Sequence, residues 1–193
     1  MNYTAIQPDS FFSLIWPVKL LTDESLELRA VLREGDSSTI VHRGFYSSIK
    51  EFWKACEKEA RTRPSDLYFG VATRYRQGGK KIDCYRSRVV WVDLDGQKFE
   101  ERLKGLEDLP PDLMVDSGGG LHLYWQLEAP ILLRVDERWR TIEGINRALC
   151  KKLLGDTASL DISRILRVPG FFNHKYNPPR EVKAYQKEEL NAI

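Results

Sequence analysis

The spacing of apolar and polar residues along the chain predicts strands and helices that alternate from one end to the other. Runs with a period of two, typical of half-buried strands, occupy residues 26–32, 39–46, 67–73, 88–95, 113–116, 121–127 and 181–185. Runs with a period near 3.6, typical of amphipathic helices, occupy residues 9–16, 47–59, 98–105 and 136–154. Interleaved strands and helices, with one clear hairpin around residues 117–120, indicate an α+β or α/β fold.

The length and composition bound the class of protein. The chain has 193 residues, of which 42% are hydrophobic and 30% are charged, so it suits one compact globular domain or two closely joined lobes. No apolar run approaches the roughly 20 residues that span a bilayer, and residues 11–16 lack the basic stretch that precedes a signal sequence. We therefore expect a cytoplasmic protein that does not bind membranes.

The three cysteines argue against a disulfide framework and against a zinc site. Cys56, Cys84 and Cys150 are an odd number, widely separated, with no C-x-x-C pair. Cys56 and Cys150 fall on apolar helical stripes, so we expect both in the core.

Positive charge is concentrated in one part of the chain, although the formal net charge is only +2. Residues 61–90 contain eight basic and two acidic side chains, a local net charge of +6 that includes the basic loop 74–81. A local basic surface on a nearly neutral protein is typical of a polyanion partner, although a solvated loop would have the same composition.

The first segment that could carry chemistry is the strand that ends in Asp93 and Asp95. Residues two apart in a strand point to the same face, so these carboxylates project together while Val90, Val92 and Leu94 pack behind them. Paired carboxylates suit Mg²⁺ or Mn²⁺, although a simple turn after a buried strand is an alternative interpretation.

The second segment is a glycine-rich turn, Ser117 followed by Gly118, Gly119 and Gly120, which leads into His122. Successive glycines let backbone N–H groups approach and cradle a phosphate. The alternation beyond the turn places His122 opposite the apolar residues Leu121, Leu123, Trp125 and Leu127. A flexible hairpin with an incidental histidine is the alternative.

The third segment begins at Asp161 and continues through Arg164, Arg167 and a Pro-Gly break to Asn173 and Lys175. Asp161 is a candidate third carboxylate of a metal site, whereas Arg167 and Lys175 are suited to neutralise a triphosphate. We expect Arg164 to be a surface charge or a partner of Asp161.

In order and content, these three segments resemble the archaeo-eukaryotic primase superfamily, in its primase-polymerase branch of plasmids and phages. The Asp-x-Asp strand matches Asp93 and Asp95, and the glycine hairpin that ends in a histidine is matched loosely by residues 117–122. The third motif is matched by Asp161 and the run from Arg167 to Lys175. The resemblance covers roughly residues 65–185.

The resemblance implies an α+β fold in which a catalytic core with an RRM-like sheet, residues 86–190, joins an N-terminal α/β lobe, residues 1–85. It implies a template-dependent nucleotidyltransferase that uses two Mg²⁺ or Mn²⁺ ions and no structural zinc. The expected partners are a DNA template and primer, nucleoside triphosphates, and a helicase domain or other replication protein. The implied metal ligands are Asp93, Asp95 and Asp161, and the implied nucleotide-binding residues are Ser117, Gly119, Gly120, His122, Arg167 and Lys175. Residues 1–60 are assigned only to the fold.

Two other classes of function remain open from the sequence. A non-catalytic RRM-like binder would use aromatic residues rather than paired acids on its sheet. A two-metal or rolling-circle Rep-type nuclease is the second alternative, although the rolling-circle type is expected to have paired histidine ligands, and only His122 is suitably placed.

Overall fold

The computed structural model describes residues 2–17, 19–35, 37–95 and 106–188. These residues form two five-stranded antiparallel sheets, a two-stranded antiparallel sheet of Phe172–Asn173 and Arg180–Glu181, and three α-helices. In chain order the elements are β1 (Tyr3–Ile6), α1 (Pro8–Ile15), β2 (Glu24–Glu34), β3 (Ser37–Tyr46), α2 (Ile49–Thr62), β4 (Asp66–Gly70), β5 (Arg74–Tyr75), β6 (Arg86–Asp95), β7 (Leu113–Asp116), β8 (Gly120–Leu132), α3 (Trp139–Leu153), β9 (Ile165–Arg167), β10 (Phe172–Asn173), β11 (Arg180–Glu181) and β12 (Lys183–Lys187). The α+β fold class predicted from the sequence is confirmed.

The first five-stranded sheet, sheet I, has the strand order β1-β12-β7-β8-β6. Its edge strand β6 is buried on both faces, so it reads as a nearly continuous apolar run instead of a simple alternation. On one face, Val92 contacts the chain just after α3. At the edge, the Asn146 side chain of α3 accepts a hydrogen bond from Trp91 N–H, at 2.9 Å, and so satisfies an edge donor.

The second sheet, sheet II, has the strand order β3-β2-β4-β9, with β5 paired to the start of β2. Leu28 and Phe69 are cross-strand partners, so they share the face that packs on α1 and α2. Phe12 and Trp16 of α1 lie 5.2 and 5.5 Å from the Phe69 ring, edge to face. The opposite face of sheet II is polar and partly open to solvent.

The two sheets exchange strands at the ends of the chain. β1 lies at the edge of sheet I, beside β12, whereas β9, from the C-terminal half, pairs with β4 in sheet II. Residues far apart in sequence are therefore adjacent where the sheets meet.

Most of the elements that the sequence predicts are present, with shifted ends. α2 begins after Ser48, whose side chain accepts a hydrogen bond from Glu51 N–H and so caps the helix. α1 begins with Pro8 after Gln7, one residue before the predicted range 9–16, because proline suits the first helical position. The helix predicted at residues 98–105 lies outside the described residues. Strands β1, β5, β9 and β10 are short and lacked a periodic signal.

Two predictions about burial have different outcomes. Cys56 and Cys150 are buried and free, which confirms their assignment to the core. Arg74, which the sequence placed in an exposed basic loop, is fully buried, because it pairs with β2 and donates to Glu27 at 2.7 Å. No described helix is both long enough and apolar enough to cross a membrane.

Candidate active site

The acidic end of sheet I and the polar face of sheet II enclose one cavity of about 220 Å³. Side chains from both sheets and from the β10 turn line it, including Arg33, Tyr68, Asp93, Asp95, Ser117, Gly119, His122, Arg164, Arg167, Asn173, Lys175 and Tyr176. Most residues singled out in the three sequence segments therefore meet in one place, although more than 80 positions separate Asp93 from Lys175.

Asp93 and His122 are directly opposed cross-strand partners of β6 and β8, so they share the face of sheet I that turns to the cavity. His122 Nε2 lies 3.7 Å from Asp93 Oδ1, and both side chains are buried. Burial, together with the nearby Arg167 and Arg164 cations, lowers the pKa of His122 to about 3. The imidazole is neutral at pH 7, so it is a hydrogen-bonding group and not a counter-ion for Asp93.

Asp95 projects from the same face of β6, two residues further on, and is exposed. The structure adds Asp156 to this pair: one ligand oxygen from each of Asp93, Asp95 and Asp156 can lie within 4.8 Å of the others. A hydrogen bond of 2.9 Å from Asp156 N–H to the Asp93 carbonyl holds the backbone of this third residue against β6.

Asp161, the residue that the sequence suggested as third carboxylate, is engaged elsewhere. Its Oδ2 lies 3.0 Å from Lys81 Nζ, and its Oδ1 accepts from Ser163 N–H at 2.7 Å. These contacts lower the pKa of Asp161, in spite of partial burial. The turn after α3 brings Asp156 to Asp93, whereas the role of Asp161 as a metal ligand stays a prediction.

The pKa values of the two cavity carboxylates are shifted the other way. Burial raises the pKa of Asp93, an effect that the Arg164 guanidinium opposes, with Nη2 at 3.0 Å from Asp93 Oδ2. Burial and the neighbouring Asp93 raise the pKa of Asp95. Arg164, predicted to be a surface charge or a partner of Asp161, is instead a cavity residue paired with Asp93.

An independent observation indicates that these carboxylates suit a divalent cation. Asp93 Oδ1 is buried and has no hydrogen-bond partner among the described residues, a costly arrangement unless a ligand binds it. Three carboxylates that can converge within 4.8 Å offer the hard oxygen ligands that Mg²⁺ and Mn²⁺ prefer.

The glycine turn is built differently from a simple anion cradle. Gly118 has φ of +78°, and its N–H donates to Asp116 Oδ1, while both the N–H and the hydroxyl of Ser117 donate to the Gly120 carbonyl. Gly120 pairs with Asp95, and a Cβ atom there would lie 2.4 Å from the Leu94 carbonyl oxygen. Ser117 and Gly119 line the cavity, whereas Gly120 lies against a shallower one on the outer side of the turn.

The predicted cationic residues reach the same cavity. Arg167 is buried between the Asp66 carboxylate, with Nη1 and Nη2 each at 3.1 Å, and the Tyr68 ring, 4.9 Å below its guanidinium carbon. Lys175 lines the cavity from the turn after β10. Asn173 fixes that turn, since its side-chain amide donates to the Ser117 carbonyl at 2.7 Å.

Two residues of the cavity wall belong to none of the motifs identified in the sequence. Arg33 and Tyr68 line it from β2 and β4, although residues 1–60 were assigned only to the fold. Arg33 Nε donates to Asp66 Oδ2 at 2.5 Å and Nη2 donates to the Tyr68 hydroxyl at 3.1 Å. A charged residue within the alternating pattern of β2 was the available signal, but an exposed strand face gives the same pattern.

Comparison with proteins of known structure shows which folds this architecture resembles. The AEP domain of the primase-polymerase of cyanophage S-2L superposes with a TM-score of 0.69 at 18% identity, over 94% of this chain and 89% of that one. The catalytic domain of primase RepB′ in complex with initiator DNA superposes with a TM-score of 0.57, also at 18% identity, over 88% and 79%.

Comparison of sequences gives a more limited result. A replication protein of Clostridium perfringens is 27% identical over 130 residues, which are 67% of this chain. The match covers only 29% of that relative, so the chain spans less than a third of its length. No model of a known protein family matches the chain.

The chain therefore has the fold of the primase-polymerase and RepB′ primase catalytic domains. The resemblance inferred from the three motifs is confirmed at the level of the fold.

Proposed function

We propose that the protein is a template-dependent nucleotidyltransferase, a DNA primase or polymerase that joins nucleoside triphosphates during replication. The observation that carries the proposal is the cavity, where Asp93 and Asp95 of β6 face Arg167, Lys175 and a neutral histidine, with the Asp156 carboxylate clustered beside the acidic pair. The fold shared with primase catalytic domains agrees with this chemistry.

Asp93, Asp95 and Asp156 are the proposed metal ligands. Divalent ions bound there would supply charge stabilisation to the transferring phosphoryl group and lower the pKa of an attacking 3′-hydroxyl. The raised pKa of Asp93 and Asp95 agrees with this role, because the carboxylates repel one another and gain stability when a cation separates them.

Arg164, Arg167, Lys175 and His122 are the proposed partners of the triphosphate. The guanidinium of Arg167 is already oriented by Asp66 and Tyr68, so little side-chain freedom is lost when it binds an anion. Neutral His122 donates one N–H to a phosphate oxygen without holding a second positive charge beside the arginines.

The proposed partners follow from the reaction: a DNA template, a primer strand and nucleoside triphosphates. A helicase domain or another replication protein is also proposed, in keeping with the greater length of the C. perfringens replication protein. Base pairing selects the nucleotide in template copying, so we expect protein contacts chiefly to phosphates.

Nucleotide incorporation by the 193-residue chain tests the proposal. The native protein, with Mg²⁺ or Mn²⁺, should extend a primed DNA template and release pyrophosphate. Asp93→Ala/Asp95→Ala should abolish both, whereas the control Asp108→Ala/Glu128→Ala, which removes two exposed acids elsewhere, should not. Product formed without a primer would show that the protein also starts new strands. Cleavage of DNA without incorporation would instead assign a metal-dependent nuclease and overturn the proposal.

A further inference from the structure

A row of four side chains crosses sheet II from the cavity to the outer edge. Arg167 on β9 is the cross-strand partner of Tyr68 on β4, Tyr68 is the partner of Arg29 on β2, and Arg29 is the partner of Arg43 on β3. Cross-strand partners share a face, so all four project from the polar face. We call these residues the arginine row. Three strand steps of about 4.8 Å make it about 14 Å long.

Buried carboxylates beneath the row fix the orientation of its arginines. Glu27 Oε1 accepts hydrogen bonds from Arg29 Nε at 2.7 Å and from Arg43 Nε at 2.8 Å. Asp66 holds Arg167 instead through its two Nη atoms, each at 3.1 Å. The hydrogen bonds that Glu27 accepts from Arg29 and Arg43 use Nε, so the Nη groups of both arginines can donate to a second acceptor.

The row carries more positive charge than the fold needs. Glu27 is shared by Arg29, Arg43 and the fully buried Arg74, whose Nε lies 2.7 Å from Glu27 Oε2. One buried Arg74–Glu27 pair is balanced by itself, so Arg29 and Arg43 add two uncompensated charges to this group. Like charges directly opposite on a sheet are destabilising. The excess positive charge of Arg29 and Arg43 therefore points to an anionic ligand that offsets it.

We propose that the arginine row binds single-stranded DNA, as the path of the template strand where it leaves the nucleotide cavity. Arg29 and Arg43 contact successive phosphates of the strand. The inference rests on the proposed function for the identity of the strand, and on the row alone for the binding surface.

Binding of a fluorescein-labelled 20-nucleotide oligothymidine by the full 193-residue chain tests the inference. Arg29→Gln/Arg43→Gln should weaken binding about tenfold at low salt. It should also reduce the slope of log K against log salt by about 1.4, since about 0.7 is lost for each phosphate contact on a single strand. The variant keeps the balanced Arg74–Glu27 pair, so it should fold, and its thermal unfolding is measured alongside.

Two further proteins make the result decisive. Arg61→Gln/Arg147→Gln removes two exposed arginines from α2 and α3, so it changes the net charge equally and should bind as the native chain does. Arg43→Glu changes one exposed position and should weaken binding at least as much as the double variant. Equal affinity of the row variant and the helix control, or no binding by the native chain, overturns the inference.

The same assay separates this inference from the proposed function. Asp93→Asn/Asp95→Asn should bind the oligonucleotide as tightly as the native chain while incorporating no nucleotide. If the native chain incorporates nothing but the row variant still binds more weakly than its control, the binding surface stands and the catalytic assignment fails. If incorporation occurs but the row variant binds normally, only the row is wrong.

Discussion

Sheet I and sheet II meet at the cavity with opposite charge imbalances. On sheet I, burial raises the pKa of Asp93, and burial with the Asp93 charge raises the pKa of Asp95. On sheet II, arginines overcome the effect of burial and lower the pKa of Glu27 and Asp66. Sheet I thus has carboxylates that need cations, whereas sheet II has cations in excess of its carboxylates. Each imbalance is relieved by a ligand, a divalent metal ion in one case and a polyanion in the other.

Removal of a buried carboxylate from sheet II should have the largest effect on stability. Asp66→Asn leaves Arg33 and Arg167 without their shared counter-ion, and a broken buried pair costs about 3–5 kcal/mol. Since Arg33 is partly exposed, we expect about 3 kcal/mol in the free energy of unfolding, measured by urea denaturation. Asp108→Asn, at an exposed position, is the matched control. A loss below about 1 kcal/mol would mean that the two arginines find solvent or other partners.

Replacing Asp156 and Asp161 one at a time should show which of them is the third metal ligand. Asp156→Asn should lower the rate of nucleotide incorporation about 100-fold, because it removes a proposed metal ligand. Asp161→Asn breaks an ion pair with Lys81 that is partly exposed to solvent, so the rate should fall less than about threefold. Rates are measured under single-turnover conditions at saturating metal. The reverse order of the two effects would restore Asp161 as the ligand.

A divalent metal should stabilise the native chain through sheet I alone. Binding to the folded state contributes about 2.7 kcal/mol at a concentration 100 times the dissociation constant. We therefore expect Mn²⁺ to raise the thermal midpoint of the native protein and of Asp66→Asn by similar amounts. Asp93→Asn/Asp95→Asn should show no rise. An equal rise in that variant would place the stabilising ion elsewhere.

The smallest expected effect is an opposite dependence of stability on pH in the two sheets. The folded pKa of Asp66 is lowered, so its contribution is complete above its unfolded pKa of about 3.9 and is lost as the pH falls through the folded value. The folded pKa of Asp93 is raised, so protonation favours the folded state and stability is lost as the pH rises through that value.

Unfolding in chelator between about pH 2 and pH 6 measures both effects. The stability advantage of the native chain over Asp66→Asn should shrink toward low pH, while the advantage of Asp93→Asn over the native chain should shrink there too. Parallel curves for the native chain and either variant would contradict the corresponding pKa shift.

The local pattern of apolar and polar residues determined much of the secondary structure of this protein. The alternation in residues 88–95 places Asp93 and Asp95 on one face for any strand of that sequence, and the stripe of Ile49, Phe52 and Cys56 requires an amphipathic helix. Both inferences depend only on backbone periodicity, so they do not need to know what lies opposite.

Only the tertiary structure decided which residues meet at the cavity. Asp156 and Asp161 look alike in the sequence, but the turn after α3 hydrogen-bonds to Asp93 and so selects Asp156. The arginine row depends on β2, β3, β4 and β9, which lie up to about 140 residues apart and carry no shared motif. Strand pairing sets such neighbours through long-range packing, and periodicity along one strand holds no information about the register of the next.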